Sequence, residues 1–127
     1  MNKRTSIIGV VVSLVALVSL TATATANDAD VRKAGSCTGS TSAKIKLSPE
    51  DGRIETEFEV DQNRSGVTWK VVFRRNGEVA ARTKATTGGR SGSFEVRRVL
   101  DDGQGADSIT ARAVSPSGEV CTASASI

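Results

Sequence analysis

Histidine and tyrosine are absent from this 127-residue chain, tryptophan occurs once, and proline and cysteine occur twice each. Without histidine, the commonest general base, the usual metal ligand and the side chain that titrates near neutrality are all missing. That removes the familiar hydrolase triads and most zinc chemistry. Aromatic residues make up only 3% of the chain, which leaves little to stack on bases, so no specific nucleic-acid partner is expected. Acidic residues number 14, but nothing singles out a pair for acid–base work, and small sandwiches seldom enclose a substrate cleft. The expectation is a protein that is not an enzyme and holds no cofactor and no metal.

Long apolar runs are also missing, except for one near the start. Lys3 and Arg4 precede an apolar stretch from Ile7 to Leu20, and small residues close it at Ala24-Thr25-Ala26. This order reads as a secretory signal peptide over residues 1–26, cleaved after Ala26. The stretch is shorter than the roughly 20 apolar residues a membrane-spanning helix needs. No twin-arginine pair precedes it, no cysteine follows the cleavage point to take a lipid, and no second run appears. A secreted, extracellular protein with no membrane anchor after cleavage is predicted. Cleavage removes two basic residues and no acidic one, which lowers the formal net charge from +3 to +1. A net charge this small does not imply nucleic acid; only a clustered distribution would argue for an anionic partner.

Cys37 and Cys121 are the only cysteines, and outside the cytosol they are expected to form a disulfide. No CxxC spacing or neighbouring histidine is present to depress a thiol pKa for redox or nucleophilic work. The bond would tie the start of the domain to its last segment, which suits a domain this small.

Residues 27–42 are rich in Gly, Ser, Thr and charge, and read as a loose N-terminal segment with a short strand around Cys37. From residue 43 to 127 apolar residues recur at every second position, the period of a strand with one buried face. Ala43, Ile45 and Leu47 mark the first run, which Ser48-Pro49-Glu50-Asp51-Gly52 turns. Ile54, Thr56, Phe58 and Val60 mark the second, with Glu55, Glu57 and Glu59 facing water. Val67, Trp69, Val71 and Phe73 mark the third, with Trp69 as its central core residue. Asn76-Gly77 is a strong type I′ hairpin signal. A two-residue turn there would set Phe73 opposite Ala80 and Val71 opposite Arg82 on a fourth strand, Glu78 to Lys84, expected at a sheet edge. Ala85 to Gly92 carries three glycines and reads as a flexible loop. A fifth strand holds Phe94 and Val96, with a bulge expected at Arg97-Arg98. Ile109, Ala111 and Ala113 mark the sixth, and Cys121, Ala123, Ala125 and Ile127 the seventh. The fold class is all-β: seven antiparallel strands in a sandwich.

At Trp69 on the third strand, and at Asp107-Ser108-Ile109-Thr110-Ala111-Arg112-Ala113 on the sixth, the chain resembles the immunoglobulin-like superfamily. That superfamily's sixth strand commonly reads Asp-x-Tyr-x-Cys-x-Ala; Ile109 and Ala111 replace the tyrosine and the cysteine, so the tyrosine corner and the inter-sheet disulfide of antibody domains are missing. The resemblance implies a seven-stranded immunoglobulin-like β-sandwich and no antibody-like function. In general look the chain is similar to small uncharacterised secreted proteins of actinobacteria, a resemblance that implies no activity. Its likeness to the secreted apoproteins that carry enediyne chromophores is architectural, since those are acidic and have two disulfides.

Lys70, Arg74, Arg75, Arg82, Lys84 and Arg112 fall on outward positions of the third and sixth strands and on the fourth. In the immunoglobulin-like order they would share a sheet and make one face basic. Lys44 and Lys46 would pair with Glu55, Glu57 and Glu59 on the other. The expected function is a non-catalytic interaction module, a monomer, whose partner is an extracellular protein or an anionic polymer of the cell envelope. The alternative is a protease inhibitor that offers Arg90, in the Gly-rich loop, to a trypsin-like specificity pocket. Asp101, Asp102 and Asp107 around Gly103-Gln104-Gly105 lack the alternating ligands and closing glutamate of a calcium loop, and read as a turn whose carboxylates accept backbone N–H groups.

Overall fold

A computed structural model describes residues 29–127; the expected signal peptide lies outside them. The described residues form nine strands: β1 (Val31–Ala34), β2 (Ser36–Cys37), β3 (Ser42–Glu50), β4 (Arg53–Asp61), β5 (Thr68–Arg75), β6 (Glu78–Thr86), β7 (Ser93–Asp101), β8 (Ser108–Val114) and β9 (Val120–Ser126). The described residues contain no helix. The strands lie in two antiparallel sheets, one of four in the order β1-β3-β4-β7 and one of five in the order β2-β9-β8-β5-β6.

The count exceeds seven because the short strand expected around Cys37 forms as β2, and because residues 31–34, expected to be loose, form β1. Val31–Ala34 pairs with β3, and Ser36–Cys37 pairs with β9. Gly35 is the crossing point between the sheets. A Cβ there would collide with the Thr122 carbonyl and sit 2.8 Å from the Ala123 methyl, so glycine alone lets the segment pass this close. The disulfide then joins Cys37 to Cys121, directly opposed on β2 and β9 with 4.1 Å between their Cα atoms.

Alternation fixes the core. Ile45, Leu47, Ile54, Phe58 and Val60 of one sheet meet Trp69, Val71, Phe73, Ile109 and Ala111 of the other, all of them buried. Phe58 packs edge-on against Phe73 and Phe94, and Trp69 leans on Phe94 at 6.3 Å between ring centres. The one polar atom of the indole is satisfied, because Trp69 Nε1 donates to Gln62 Oε1 at 3.1 Å.

The first hairpin turn is tighter than expected, and the second is as expected. β3 continues through Pro49 to Glu50, so the first hairpin turns on Asp51-Gly52 alone, with φ of 47° and 74°. Asn76-Gly77 does the same with 49° and 86°. Both are Asx-Gly pairs that accept the left-handed region a two-residue hairpin demands.

The bulge expected at Arg97-Arg98 is absent. β4 and β7 pair without interruption from Arg53↔Asp101 to Asp61↔Ser93. The sequence pattern falters there because Arg98 occupies an inward position at a sheet edge, half-buried, while Val99 takes an outward one. The register shift lies instead between Phe73 and Arg74 on β5, which sets Phe73 opposite Ala81 and Val71 opposite Thr83, one residue further than expected.

Candidate functional site

That shift decides where the basic residues point. A one-residue slip exchanges the two faces of a strand. With it, Arg82 stands opposite Val72 and Lys84 opposite Lys70, on the outer side of the five-stranded sheet. β8 places Arg112 beside Val72 and Val114 beside Lys70, and Thr110 beside Arg74. Lys70, Arg74, Arg82, Lys84 and Arg112 are all exposed. The remaining outward positions of β5, β8 and β9 are Thr, Ser and Val, and none is acidic. Among the described residues none of these five cations makes an ion pair. Four of them surround a shallow groove of about 540 Å³ whose floor includes Val72 and Val114.

Arg75 does not join them. It is half-buried at the end of the sandwich, where its Nε lies 3.2 Å from Asp107 Oδ1 and its Nη1 donates to the Asp101 carbonyl at 2.8 Å. Asp107 is 1% exposed. Its Oδ2 accepts the Gly103 N–H at 2.9 Å and its Oδ1 accepts Asn76 Nδ2 at 2.9 Å, while Asn76 Oδ1 accepts the Ser108 N–H at 2.8 Å. The Gly103 N–H holds the Asp107 carboxyl below the ordinary carboxylate range; the Asn76 amide, Asp102 and Arg75 act in the same direction, against the effect of burial. Asp102 is held above its ordinary value, chiefly by its hydrogen bond with Asp107. Asp107 thus clamps the 101–107 turn to the β5–β6 hairpin.

The Gly-rich segment is shorter and better anchored than its composition suggests, because β6 runs on to Thr86. Thr87 is buried; its hydroxyl donates to the Arg64 carbonyl at 2.6 Å and accepts the Val67 N–H at 3.0 Å. Ser65 Oγ donates to the Gly89 carbonyl at 2.7 Å, and Gly88 and Ser93 form a β-bridge. Gly92, at φ 61°, presses against the Arg64 backbone where a Cβ would collide. Arg90 is exposed at the tip of this closed turn.

On the outer side of the four-stranded sheet the charges meet one another. Lys44 pairs with Glu59 at 3.4 Å and Lys46 with Glu57 at 2.9 Å. Arg97 reaches Glu55, Glu57 and Glu95, and those three carboxylates raise its own pKa further.

Sequence alone supplied the five cations but not the shift that brings Arg82 and Lys84 to the face of Lys70 and Arg112. The turn in which a carboxylate accepts a backbone N–H forms as expected, with Asp107 accepting from Gly103, but the links from Asp107 to Asn76 and Arg75 were not foreseen. Comparison of the chain with protein-family models, with curated proteins and with solved structures finds no match.

Proposed function

We propose that this chain is a secreted, non-catalytic binding module of immunoglobulin-like architecture, and that it presents the outer face of its five-stranded sheet to an anionic extracellular partner. The observation that carries this reading is the set of five exposed cations, Lys70, Arg74, Arg82, Lys84 and Arg112, with no acidic residue on neighbouring outward positions and no ion pair among them. A soluble surface usually intersperses both signs, as the opposite sheet does. The disulfide supports an oxidising compartment. The strand order supports the immunoglobulin-like reading: β5 lies between β6 and β8, and from β3 onward the chain changes sheets after β4, β6 and β7.

The test is capture of the purified, disulfide-bonded protein on washed cell envelopes and secreted proteins of its own source, in low and high salt. Binding should weaken steeply with salt, since unpaired surface charges are screened within about 8 Å at physiological ionic strength. The double variant Arg74→Glu with Arg82→Glu should lose at least ten-fold in affinity while remaining folded. Binding indifferent to both changes would remove the reading.

The inhibitor reading rests on Arg90 alone. Inhibitors of this kind offer an extended, rigid segment to the protease cleft, whereas Arg90 sits in a closed turn between Gly89 and Gly92, both at positive φ. Arg90→Ala is therefore expected to leave trypsin activity in the presence of the protein unchanged; a loss of inhibition would restore that alternative.

A further inference from the structure

Among the described residues β6 is hydrogen-bonded in its sheet to β5 alone, which leaves its other edge, nine residues long, without a neighbouring strand. We infer that this edge accepts an extended segment of a partner protein in which acidic and apolar residues alternate, added as a further strand of the five-stranded sheet. The inference rests on the basic face just proposed and deepens it by naming the partner's chemistry.

Three observations converge. An unpaired edge offers backbone N–H and C=O groups that a second strand satisfies, and long unprotected edges invite such pairing. On the outer side of β6, Arg82 and Lys84 stand two residues apart, about 7 Å, the repeat of same-side side chains on an extended partner. Acidic residues at every second position of that partner would lie beside them, with Lys70 directly behind Lys84. On the inner side β6 presents the small side chains Ala81, Thr83 and Ala85. Towards the Asn76-Gly77 turn a cleft of about 420 Å³ opens between β6 and β7. Its walls carry Val79 and Val99, the exposed large hydrophobic residues among those described, at 44% and 52%. The cleft's charged groups are Arg53 and Arg75 against Glu78 and Asp101, so neither sign prevails and apolar contact is what it offers.

A second copy of the chain is the poorer occupant. Two β6 edges meeting antiparallel would bring Arg82 and Lys84 of both copies onto one face at cross-strand distance, where like charges repel. An acidic strand turns that repulsion into attraction.

The test uses the disulfide-bonded protein and a synthetic ten-residue peptide alternating Glu and Val, a scrambled peptide of the same composition, and two forms of the first that are N-methylated at alternate amides. Calorimetry should find the alternating peptide at least ten-fold tighter than the scrambled one. One methylated form should lose binding and the other keep it, because only every second amide of an added strand faces β6. Amide exchange should slow at alternate residues of β6. The variant Arg82→Glu with Lys84→Glu should lose the Glu–Val peptide and gain a Lys–Val one, which guards against a folding defect. If all four peptides bind alike and salt still weakens them, the edge site is overturned while the basic face stands. If none binds, the edge site is overturned, and the basic face is decided by the envelope capture alone. If sedimentation instead shows self-association that Arg82→Glu strengthens, the second copy is the occupant and the inference is wrong.

Discussion

The two outer faces of this sandwich are made of the same materials and organised in opposite ways. On the four-stranded sheet, Lys44, Lys46 and Arg97 each meet a glutamate, and Glu57 serves two of them. On the five-stranded sheet, Lys70 faces Lys84 across the β5–β6 ladder, and Arg82 and Arg112 flank Val72, with no carboxylate between them. A net charge near zero for residues 27–127 therefore conceals a molecule with one neutralised side and one cationic side. Cohesion differs as well. The five-stranded sheet is held at one border by the Cys37–Cys121 bond and anchored at the β5–β8 end by the Asp107 clamp, whereas the N-terminal strand of the other sheet is held by its ladder with β3.

The largest expected effect breaks that arrangement at its covalent point. The disulfide closes a loop with a sequence separation of 84, for which chain entropy gives about 4.5 kcal/mol at 25 °C. Replacing both cysteines by alanine should lower stability by about that amount in urea unfolding, and β1 and β2 should become the first segments to exchange their amides. A loss below about 1 kcal/mol would mean that β2 is held by backbone pairing and not by the bond.

Next comes the clamp. Asp107→Asn removes the counter-charge of Arg75 and sets an amide group where two donors now converge, so the melting temperature should fall by several degrees at pH 7. The pH dependence has a definite sign. A carboxyl whose folded pKa lies below its unfolded value stabilises the fold above about pH 4, and that contribution is lost as pH falls through the folded value. The wild-type protein should therefore lose stability on acidification below pH 4 more steeply than Asp107→Asn. Parallel acid limbs in the two proteins would show that Asp107 is not the group responsible.

Most of the core was legible in the sequence. The alternation of Ile54, Thr56, Phe58 and Val60, or of Trp69, Val71 and Phe73, admits one buried face, and each of these residues is buried. What was not legible depends on contacts made far along the chain. Val31–Ala34 has little apolar content and forms a strand because β3 offers an edge to it. Arg98 looks like an interruption of β7 and is instead a long side chain whose inward position at a sheet edge leaves it half-buried. The Gly-rich segment looks unstructured, since its order comes from the Arg64–Val67 region packed against it. For the candidate site, residue types and strand assignments were available, but the slip at Phe73 and Arg74 leaves no local mark, and a single slip exchanges faces.

A smaller effect tests the neutralised face. Glu57 lies between Lys46 and Arg97 with a side chain only 12% exposed. Glu57→Gln breaks both pairs and should cost about 1 kcal/mol in stability, at the upper end of the range for surface pairs because several charges share the network. Anion binding at the opposite face should be unchanged. A change in binding would mean that the two faces are not independent.

The smallest effect carries the opposite sign, and it is the one that separates a binding face from a merely solvated one. Lys70 and Lys84 are directly opposed on neighbouring strands, a like-charged pair that weakens the sheet. Lys84→Glu converts it to an attractive pair and should raise stability by about 0.3–0.5 kcal/mol in low salt, with the gain shrinking as salt rises. The same substitution should weaken anion binding at least five-fold. Natural surfaces retain a destabilising feature where function requires it, so stability and binding moving in opposite directions is the signature of a selected site. If Lys84→Glu raises stability and leaves binding intact, the cations only keep a sheet face wetted. If it lowers stability, the lysines are not in conflict, and the contrast between the two faces loses its energetic meaning.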